Sequence, residues 1–533
     1  MGTVEHPRVR PGVLEDRLYQ ERIAETAVAH NTLAVLPTGL GKTAIALRVI
    51  AEFLLRQPTK SILFFAPTRP LVVQHARSVA ASLFAPEPLT LTGAIPPDRR
   101  ADLLRPPQVV VATPQVVAND LLEGGFPLDT FSLLVFDEAH RAVGVYPYVT
   151  LGRANRDGPN ARVLAMTASP GGSLTRIREV WSHLGIERFE YRTDRSPDVV
   201  PYVHGIGVET ITVSMPVEVQ DLAIRLRSAV QRPVDVLRQL GYISGNDAGR
   251  RTLLDIGAGL HRAIAEERGS GTSTPNLWKA VTAQATAMKT LHALELIESQ
   301  GVDSLREFLA RQTPPEGKRM TPAQRAFLAD PDVVEVQRRL DRLTLEHPKI
   351  ARTVEIVAEE LRKNPAARVI VFGQYRDTVD RLVGELEKLG DAAVRPARFV
   401  GQATHGNDVG LSQKEQVGIL DAFRSGAVNC LVATSVAEEG LDIPATDLVV
   451  FYEPVPDVIR TIQRRGRTGR ARTGRVLVLV AEGTRDVGMN RGASGRERRM
   501  HDMLERVQAD AEAGRGLAPP RPKTVQTTLF RPT

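Results

Sequence analysis

Apolar residues along this chain gather in short β-branched runs, and the stretches between the runs carry apolar positions three or four residues apart. In the first 200 residues the runs are Thr32 to Leu36, Ser61 to Ala66, Gln108 to Ala112, Leu133 to Phe136 and Arg162 to Met166. Each is apolar on both faces and helix-like segments separate them, which predicts buried parallel strands. The pattern returns after residue 346, with Arg368 to Phe372, Asn429 to Ala433, Asp447 to Tyr452 and Arg475 to Val480. Two α/β domains are expected from that recurrence.

Residues 204–345 have a different character. After a candidate strand at Val208 to Ser214, the segments Val217 to Leu240 and Asn276 to Gln300 show helical apolar spacing with few breakers, which predicts a mostly helical insert. Gly269 to Pro275 and Thr313 to Lys318 read as a flexible loop and an exposed connection. The expected division is 1–203 for the first α/β domain, 204–345 for the insert, 346–484 for the second α/β domain and 485–533 for a basic, partly disordered tail. Within the tail a helix is expected over Arg496 to Asp510. At 533 residues the chain exceeds what one hydrophobic core supports, in keeping with that division.

Charge adds a direction. The formal net charge is +7, and residues 485–533 hold ten Lys/Arg against six Asp/Glu, so much of the excess sits at the end. A polyanionic partner is favoured, although solvated charge also accounts for the tail. The one cysteine, Cys430, lies in an apolar run and excludes an internal disulfide or a zinc site built on cysteines. No stretch approaches the roughly 20 apolar residues of a membrane span, and no apolar signal region opens the chain, so a soluble intracellular protein is expected.

Three segments carry chemistry. The run Thr32 to Leu36 leads into Pro37-Thr38-Gly39-Leu40-Gly41-Lys42-Thr43, and a good helix former follows from Ala44. A glycine-bearing loop between strand and helix presents backbone N–H groups to phosphates, with Lys42 reaching the β/γ-phosphates and Thr43 available to Mg²⁺. The loop departs from the usual phosphate-loop pattern at its first position, where Leu36 stands; a tight turn with an incidental lysine is the bland alternative. The run Leu133 to Phe136 ends in Asp137-Glu138-Ala139-His140. Asp137 is placed to bind Mg²⁺ and Glu138 to orient or deprotonate water, against the alternative of a helix-capping acidic pair. His140 either couples two sites or caps the next helix. Lastly, Gln463-Arg464-Arg465-Gly466-Arg467-Thr468-Gly469-Arg470 concentrates positive charge without acidic neighbours. Alone it reads equally as a nucleic-acid-binding or localisation patch. Beside the other two segments it reads as arginine fingers, Arg467 and Arg470, with Gln463 on the same helical face.

With these motifs in order, the chain resembles superfamily 2 helicases, and within them the group of archaeal Hef and the Fanconi anaemia M translocase. Arg17-Leu18-Tyr19-Gln20 resembles the adenine-recognising element, with Gln20 on the base edge. Pro67-Thr68-Arg69-Pro70-Leu71 and Ala112-Thr113-Pro114-Gln115 are similar to motifs that hold the nucleic-acid backbone, and Thr167-Ala168-Ser169 to the segment linking hydrolysis to strand movement. Val371-Phe372-Gly373-Gln374-Tyr375-Arg376 and the run Ala433 to Asp442 resemble two further motifs. More particular to Hef are Asp137 to Val143, Thr167 to Gly171 and Arg398 to Ala403.

The resemblance implies two RecA-like parallel-sheet domains around a helical insert, and an ATP- and Mg²⁺-dependent motor. Its implied DNA contacts are Thr68, Arg69, Thr113, Pro114, Gln374 and Thr434, while Gly440 and Asp442 line the nucleotide cleft. It also implies a DNA helicase or translocase working on single-stranded and forked DNA in fork repair and recombination, cytoplasmic and associated with the nucleoid. The insert would add contacts to branched DNA, or serve as a rigid spacer. A double-stranded RNA helicase or RNA-sensing ATPase is the alternative; resemblance to such sensors implies a cysteine-rich terminal zinc domain, which a chain with one cysteine cannot supply, and this counts against the sensor and not against RNA as a substrate. Gln526-Thr527-Thr528-Leu529-Phe530 resembles the start of a sliding-clamp-binding peptide through Gln526, Leu529 and Phe530, without the usual paired aromatics. Hef commonly continues into a nuclease, but no nuclease-type acidic cluster follows Arg470, so this polypeptide is expected not to cut DNA and a separate nuclease becomes a candidate partner.

Overall fold

Strands apolar on both faces need a layer of helices on each side, and the chain folds that way twice. The computed structural model describes residues 2–104, 107–202, 206–244, 249–270, 275–314, 319–402, 410–434, 446–455, 474–513, 515 and 517. The first sheet contains β1 (Thr32–Val35), β2 (Ser61–Phe65), β3 (Leu89–Leu91), β4 (Val109–Ala112), β5 (Phe131–Phe136), β6 (Arg162–Thr167) and β7 (Arg188–Tyr191), in the order β3-β4-β2-β5-β6-β1-β7. Every pairing is parallel. Phe64, Phe65 and Phe136 are fully buried on its two faces. Each contributes roughly 1.5–3 kcal/mol by leaving water.

The second sheet contains β8 (Ile206–Val213), β9 (Val369–Phe372), β10 (Pro396–Phe399), β11 (Cys430–Ala433), β12 (Leu448–Phe451) and β13 (Gly474–Ala481), in the order β10-β11-β9-β12-β13-β8, again all parallel. Here the structure departs from the sequence reading. The strand counted with the insert, β8, pairs with β13 from Ile206↔Gly474 to Val213↔Ala481. The chain therefore enters the second sheet before making its helical excursion. Gly207 to Thr210 are exposed, so this edge strand lacks the two-sided apolar pattern that betrays an interior one.

The excursion consists of helices Val217–Gln239, Arg250–Ser270, Pro275–Ser299, Val302–Gln312, Pro322–Leu328 and Pro331–Leu340. Leu222, Leu226, Ile297, Leu305, Phe327 and Val336 form a core that also takes in Ala481 of β13, fixing the insert to the second sheet. A second core, with Leu237, Leu253, Leu260 and Leu277, holds its outer part.

The residues assigned to a tail hold the other departure. Arg485–Glu512 is one helix, longer than the expected segment, and Met500, Leu504, Val507 and Ala511 are buried in the core of the first domain. The apolar stripe is about one residue per turn amid Arg, Asp and Glu, so composition hides it; as a buried face it contributes several kcal/mol. The tail residues Gln526, Leu529 and Phe530 lie outside the described residues. No described helix is long and apolar enough to cross a membrane.

Candidate nucleotide and nucleic-acid site

The first-domain motifs that follow a strand leave the sheet at one edge. Hydrogen bonds extend the ladder past the strand ends, from Leu36 N to Thr167 O (3.1 Å), Asp137 N to Phe65 O (3.1 Å), Ala66 N to Ala112 O (3.0 Å) and Thr113 N to Leu91 O (3.0 Å). The carboxyl ends of β1, β2, β4, β5 and β6 thus present their turns side by side, where ligands bind open parallel sheets.

After β1, Gly39 and Gly41 take positive φ values of 96° and 74°. Such angles are costly for a residue with a Cβ, and at Gly41 a Cβ would also stand 2.4 Å from Gln20 Nε2. Helix Lys42–Arg56 begins there without a side-chain cap, so its first N–H groups face the loop as an anion cradle. Lys42 Nζ folds back to Leu36 O at 3.1 Å. Thr43 is half-buried in the first turn, and Pro37 and Thr38 line the approach.

Helix Leu18–Ala29 braces that loop from below. Tyr19 donates its hydroxyl to Leu40 O (2.8 Å), and Gln20 Nε2 lies 3.3 Å from the same oxygen and 3.2 Å from Tyr19 Oη. Gln20 is only 2% exposed, so its amide nitrogen supports the phosphate loop in this state. Arg17 donates to Tyr19 Oη at 3.4 Å and lies over the Tyr202 ring, 5.7 Å from its centroid. Tyr202, which closes this side, was missed in the sequence because it sits in a 3₁₀ turn far from any motif.

At the end of β5, Asp137 is buried. His75 Nε2 meets Asp137 Oδ2 at 2.9 Å, and Glu138 N donates to Oδ1 at 3.0 Å. Burial alone would push this carboxyl up, but the His75 bond and charge, the Lys42 charge and the Glu138 amide hold it below its ordinary value. His75 comes from helix Arg69–Ser82 and stacks on Phe64 with centroids 4.4 Å apart. Tyr148 fixes the backbone by donating to Asp137 O at 2.7 Å.

Glu138 is bent into the left-handed region at φ 50°, a strain of order 1–2 kcal/mol for a residue with a side chain. Its Oε2 is buried without a hydrogen bond. His140 Nδ1 is 3.2 Å from that oxygen, yet its hydrogen bond is to Thr167 Oγ1 at 3.0 Å. His140 therefore links the acidic pair to the end of β6. An uncapped helix start, a carboxylate held ionised beside a lysine and a buried carboxylate oxygen without a hydrogen bond fit a nucleotide and its cation. No cluster of three or more His, Cys, Asp or Glu occurs among the described residues that could hold a metal by itself.

The nucleic-acid candidates divide by exposure. Thr68 opens helix Arg69–Ser82 with its Oγ1 buried and unbonded, and Arg69 is exposed beside it. Thr113 and Pro114, at the start of helix Pro114–Leu122, are buried. In the second sheet Gln374 follows β9 and is exposed, whereas Thr434 follows β11 and is only 6% exposed. Gln374 N donates to Glu453 Oε2 (2.9 Å), and Gln300 of the insert donates to Glu453 Oε1 (2.7 Å). Burial pushes the Glu453 carboxyl up, with the Lys349 charge opposing. Gln463, Arg467, Arg470, Gly440 and Asp442 lie outside the described residues.

Comparisons with known proteins bear on this geometry. Residues 17–177 match the DEAD/DEAH box helicase family, 351–472 the helicase conserved C-terminal domain, and 217–341 the helical bundle described as that of a putative ATP-dependent RNA helicase. The crystal structure of the Pyrococcus furiosus Hef helicase domain is similar with a TM-score of 0.70 and 41% identity, over 90% of this chain and 98% of that one. The chain belongs to the Hef and Fanconi anaemia M group of superfamily 2 helicases. Among curated relatives in the same group, a putative ATP-dependent RNA helicase of Methanocaldococcus jannaschii is 37% identical over 508 residues, 95% of this chain and 62% of its own length. The ATP-dependent DNA helicase mph1 of Aspergillus fumigatus is 33% identical over 490 residues, 88% of this chain and 44% of its own. The chain thus spans less than two thirds of the length of these relatives. The group's two parallel-sheet domains and intervening helical bundle are those described above.

Proposed function

We propose that this chain is an ATP-dependent DNA helicase or translocase that acts on forked or branched DNA in replication-fork repair and recombination. The observation that carries the reading is the convergence of the glycine loop, the Asp137–Glu138 pair and Thr167 at one sheet edge, in a chain similar throughout to a Hef helicase domain.

In this reading Pro37 to Gly41 and Lys42 hold the phosphates, Thr43 and Asp137 would hold Mg²⁺, and Arg17 and Gln20 border the base. Bound ATP with Mg²⁺ supplies an activated phosphoryl group whose charge the cation offsets. Glu138, strained and with one oxygen unbonded, orients water and takes its proton. By the family resemblance, Gln463, Arg467 and Arg470 would contact the γ-phosphate, and Gly440 and Asp442 the nucleotide. Thr68, Arg69, Thr113 and Pro114 on one side and Gln374 and Thr434 on the other grip a strand, the buried ones through their backbone. Alternating closure and release of the cleft gives directional movement.

A second reading, an ATP-dependent helicase on double-stranded RNA, draws on the RNA helicase names of the matched helical bundle and of the Methanocaldococcus relative. We favour DNA because a Hef helicase domain is matched over nearly all of its length and the fungal relatives are named DNA helicases. The test is strand displacement from a labelled DNA fork by the full chain with ATP and Mg²⁺. Displacement that Lys42→Ala abolishes supports the reading; none from a protein that displaces duplex RNA would replace it. A sliding-clamp contact through Gln526, Leu529 and Phe530, and a separate nuclease partner, are proposals that pull-downs with the full chain would decide.

A further inference from the structure

The helix Arg485–Glu512 has one end in each half of the molecule. At its start Asp486 is buried and paired with Lys349, itself wholly buried, which also donates to Tyr452 O at 3.0 Å after β12. Arg485 pairs with Glu295 and donates its N–H to Glu298 Oε2 at 3.1 Å, tying the same turn to the insert. Fifteen residues on, roughly 22 Å along the helix axis, Met500 enters the first domain. Gln508 then accepts from Tyr191 N at 2.9 Å, and His501 bonds the Tyr191 hydroxyl, so the far end is docked on β7.

Met500 is 2% exposed, and its sulfur accepts the hydroxyl of fully buried Ser169 at 3.2 Å. Ser169 is locked to Thr167 in both directions: its N–H donates to Thr167 Oγ1 at 3.2 Å, and Thr167 Oγ1 donates back to Ser169 O at 3.0 Å. With its one proton so used, Thr167 Oγ1 must accept from His140, which fixes the Nδ1–H tautomer of that ring at 3.0 Å. His140 Nδ1 in turn stands 3.2 Å from Glu138 Oε2. An unbroken series of contacts therefore joins Met500 to Glu138, although the two are far apart in the chain.

We propose that Met500 is a positioning residue for ATP hydrolysis, setting Ser169 and, through Thr167 and His140, the carboxylate of Glu138. The proposal rests on the reading of Glu138 as the group that handles the attacking water. A thioether is a weak acceptor, and it is the partner seen for a hydroxyl that has no access to solvent. Without it that hydroxyl must find another acceptor inside the core, at the residue whose N–H and C=O hold Thr167 Oγ1.

Two substitutions separate positioning from packing. Met500→Leu keeps the volume and removes the acceptor, so melting temperature stays near wild type while kcat for DNA-stimulated ATP turnover falls about five-fold or more, with KM for ATP unchanged. Met500→Gln restores an acceptor at the cost of a polar group in the core; melting temperature falls but kcat recovers. A residue that only packs would give the reverse order. Hydrogen exchange without nucleotide supplies the reading independent of turnover: the Ser169 amide exchanges faster in Met500→Leu and returns toward wild type in Met500→Gln. Wild-type exchange at Ser169 in Met500→Leu, or kcat that follows melting temperature across the two variants, overturns the proposal. If the wild-type chain turns over no ATP, the helicase reading fails, and the exchange result still decides whether Met500 holds Ser169.

Discussion

Replacing His75 with alanine tests how the buried Asp137 is held. His75 Nε2 and Asp137 Oδ2 are 2.9 Å apart, and both residues are nearly inaccessible to water. A hydrogen bond to an ionised group of this kind is worth about 1.5–3 kcal/mol, which is roughly a 10- to 150-fold effect if it appears wholly in function. An independent guide is the loss of about 10- to 100-fold in metal affinity or activity when a partner behind a metal ligand is removed. The two ranges agree, so His75→Ala should weaken the apparent Mg²⁺ affinity for ATP turnover by about ten-fold or more. Asp137 would still have Lys42 and the Glu138 amide nearby, which argues against the upper limits. The direction with pH follows too. Asp137 is held below its ordinary value, so its carboxylate stays ionised through the usual carboxylate range and is lost only as pH falls below it. Removing His75 leaves burial less opposed, and the acid limb of turnover moves to higher pH. The assay is a Mg²⁺ titration of ATP turnover at several pH values, with His75→Gln as the variant that retains a donor and recovers most of the loss. Wild-type Mg²⁺ dependence and an unmoved acid limb in His75→Ala would refute the reasoning.

Other outcomes follow from the same geometry. Glu138→Gln should keep nucleotide binding, read with a fluorescent ATP analogue, while turnover drops by about 10²–10⁴-fold; unchanged turnover removes Glu138 from the mechanism. Gly41→Ala places a Cβ 2.4 Å from Gln20 Nε2 at a positive φ, so nucleotide binding weakens by at least the roughly 1–2 kcal/mol of the backbone strain, visible in the same titration. His347 is pushed down to about 3, first by burial and then by the Lys349 charge. Its folded value lies below its unfolded one, so its contribution is complete above about pH 6.5 and is lost at roughly 1.4 kcal/mol per pH unit as pH falls toward the folded value. His347→Asn, which can still cap Lys349 N, should flatten the acid dependence of the melting temperature between pH 4 and pH 6, on the order of the window named.

The interior strands were legible because their runs are apolar on both faces and end in turn residues. Three strands were not. Leu89-Thr90-Leu91 is too short, while Arg188-Phe189-Glu190-Tyr191 and Pro396-Ala397-Arg398-Phe399 mix charge into the run, since edge strands bury less. Lys42, Asp137 and Glu138 could be proposed from the sequence because local spacing carries their candidate chemistry. His75 could not, since its link to Asp137 spans 62 positions and arises only when β2 and β5 pair. Met500 is more hidden still: its helix reads as polar, and its contact with Ser169 spans 331 positions. Local chemistry is written in adjacent residues, and the groups that orient it come from wherever the sheet order brings them.

The measurement closest to the central claim is the rate of ATP turnover by the wild-type chain with single-stranded DNA, forked DNA and double-stranded RNA at matched salt. The account predicts stimulation by DNA, largest with the fork and lost in Glu138→Gln. Stimulation by double-stranded RNA with none from either DNA would contradict it.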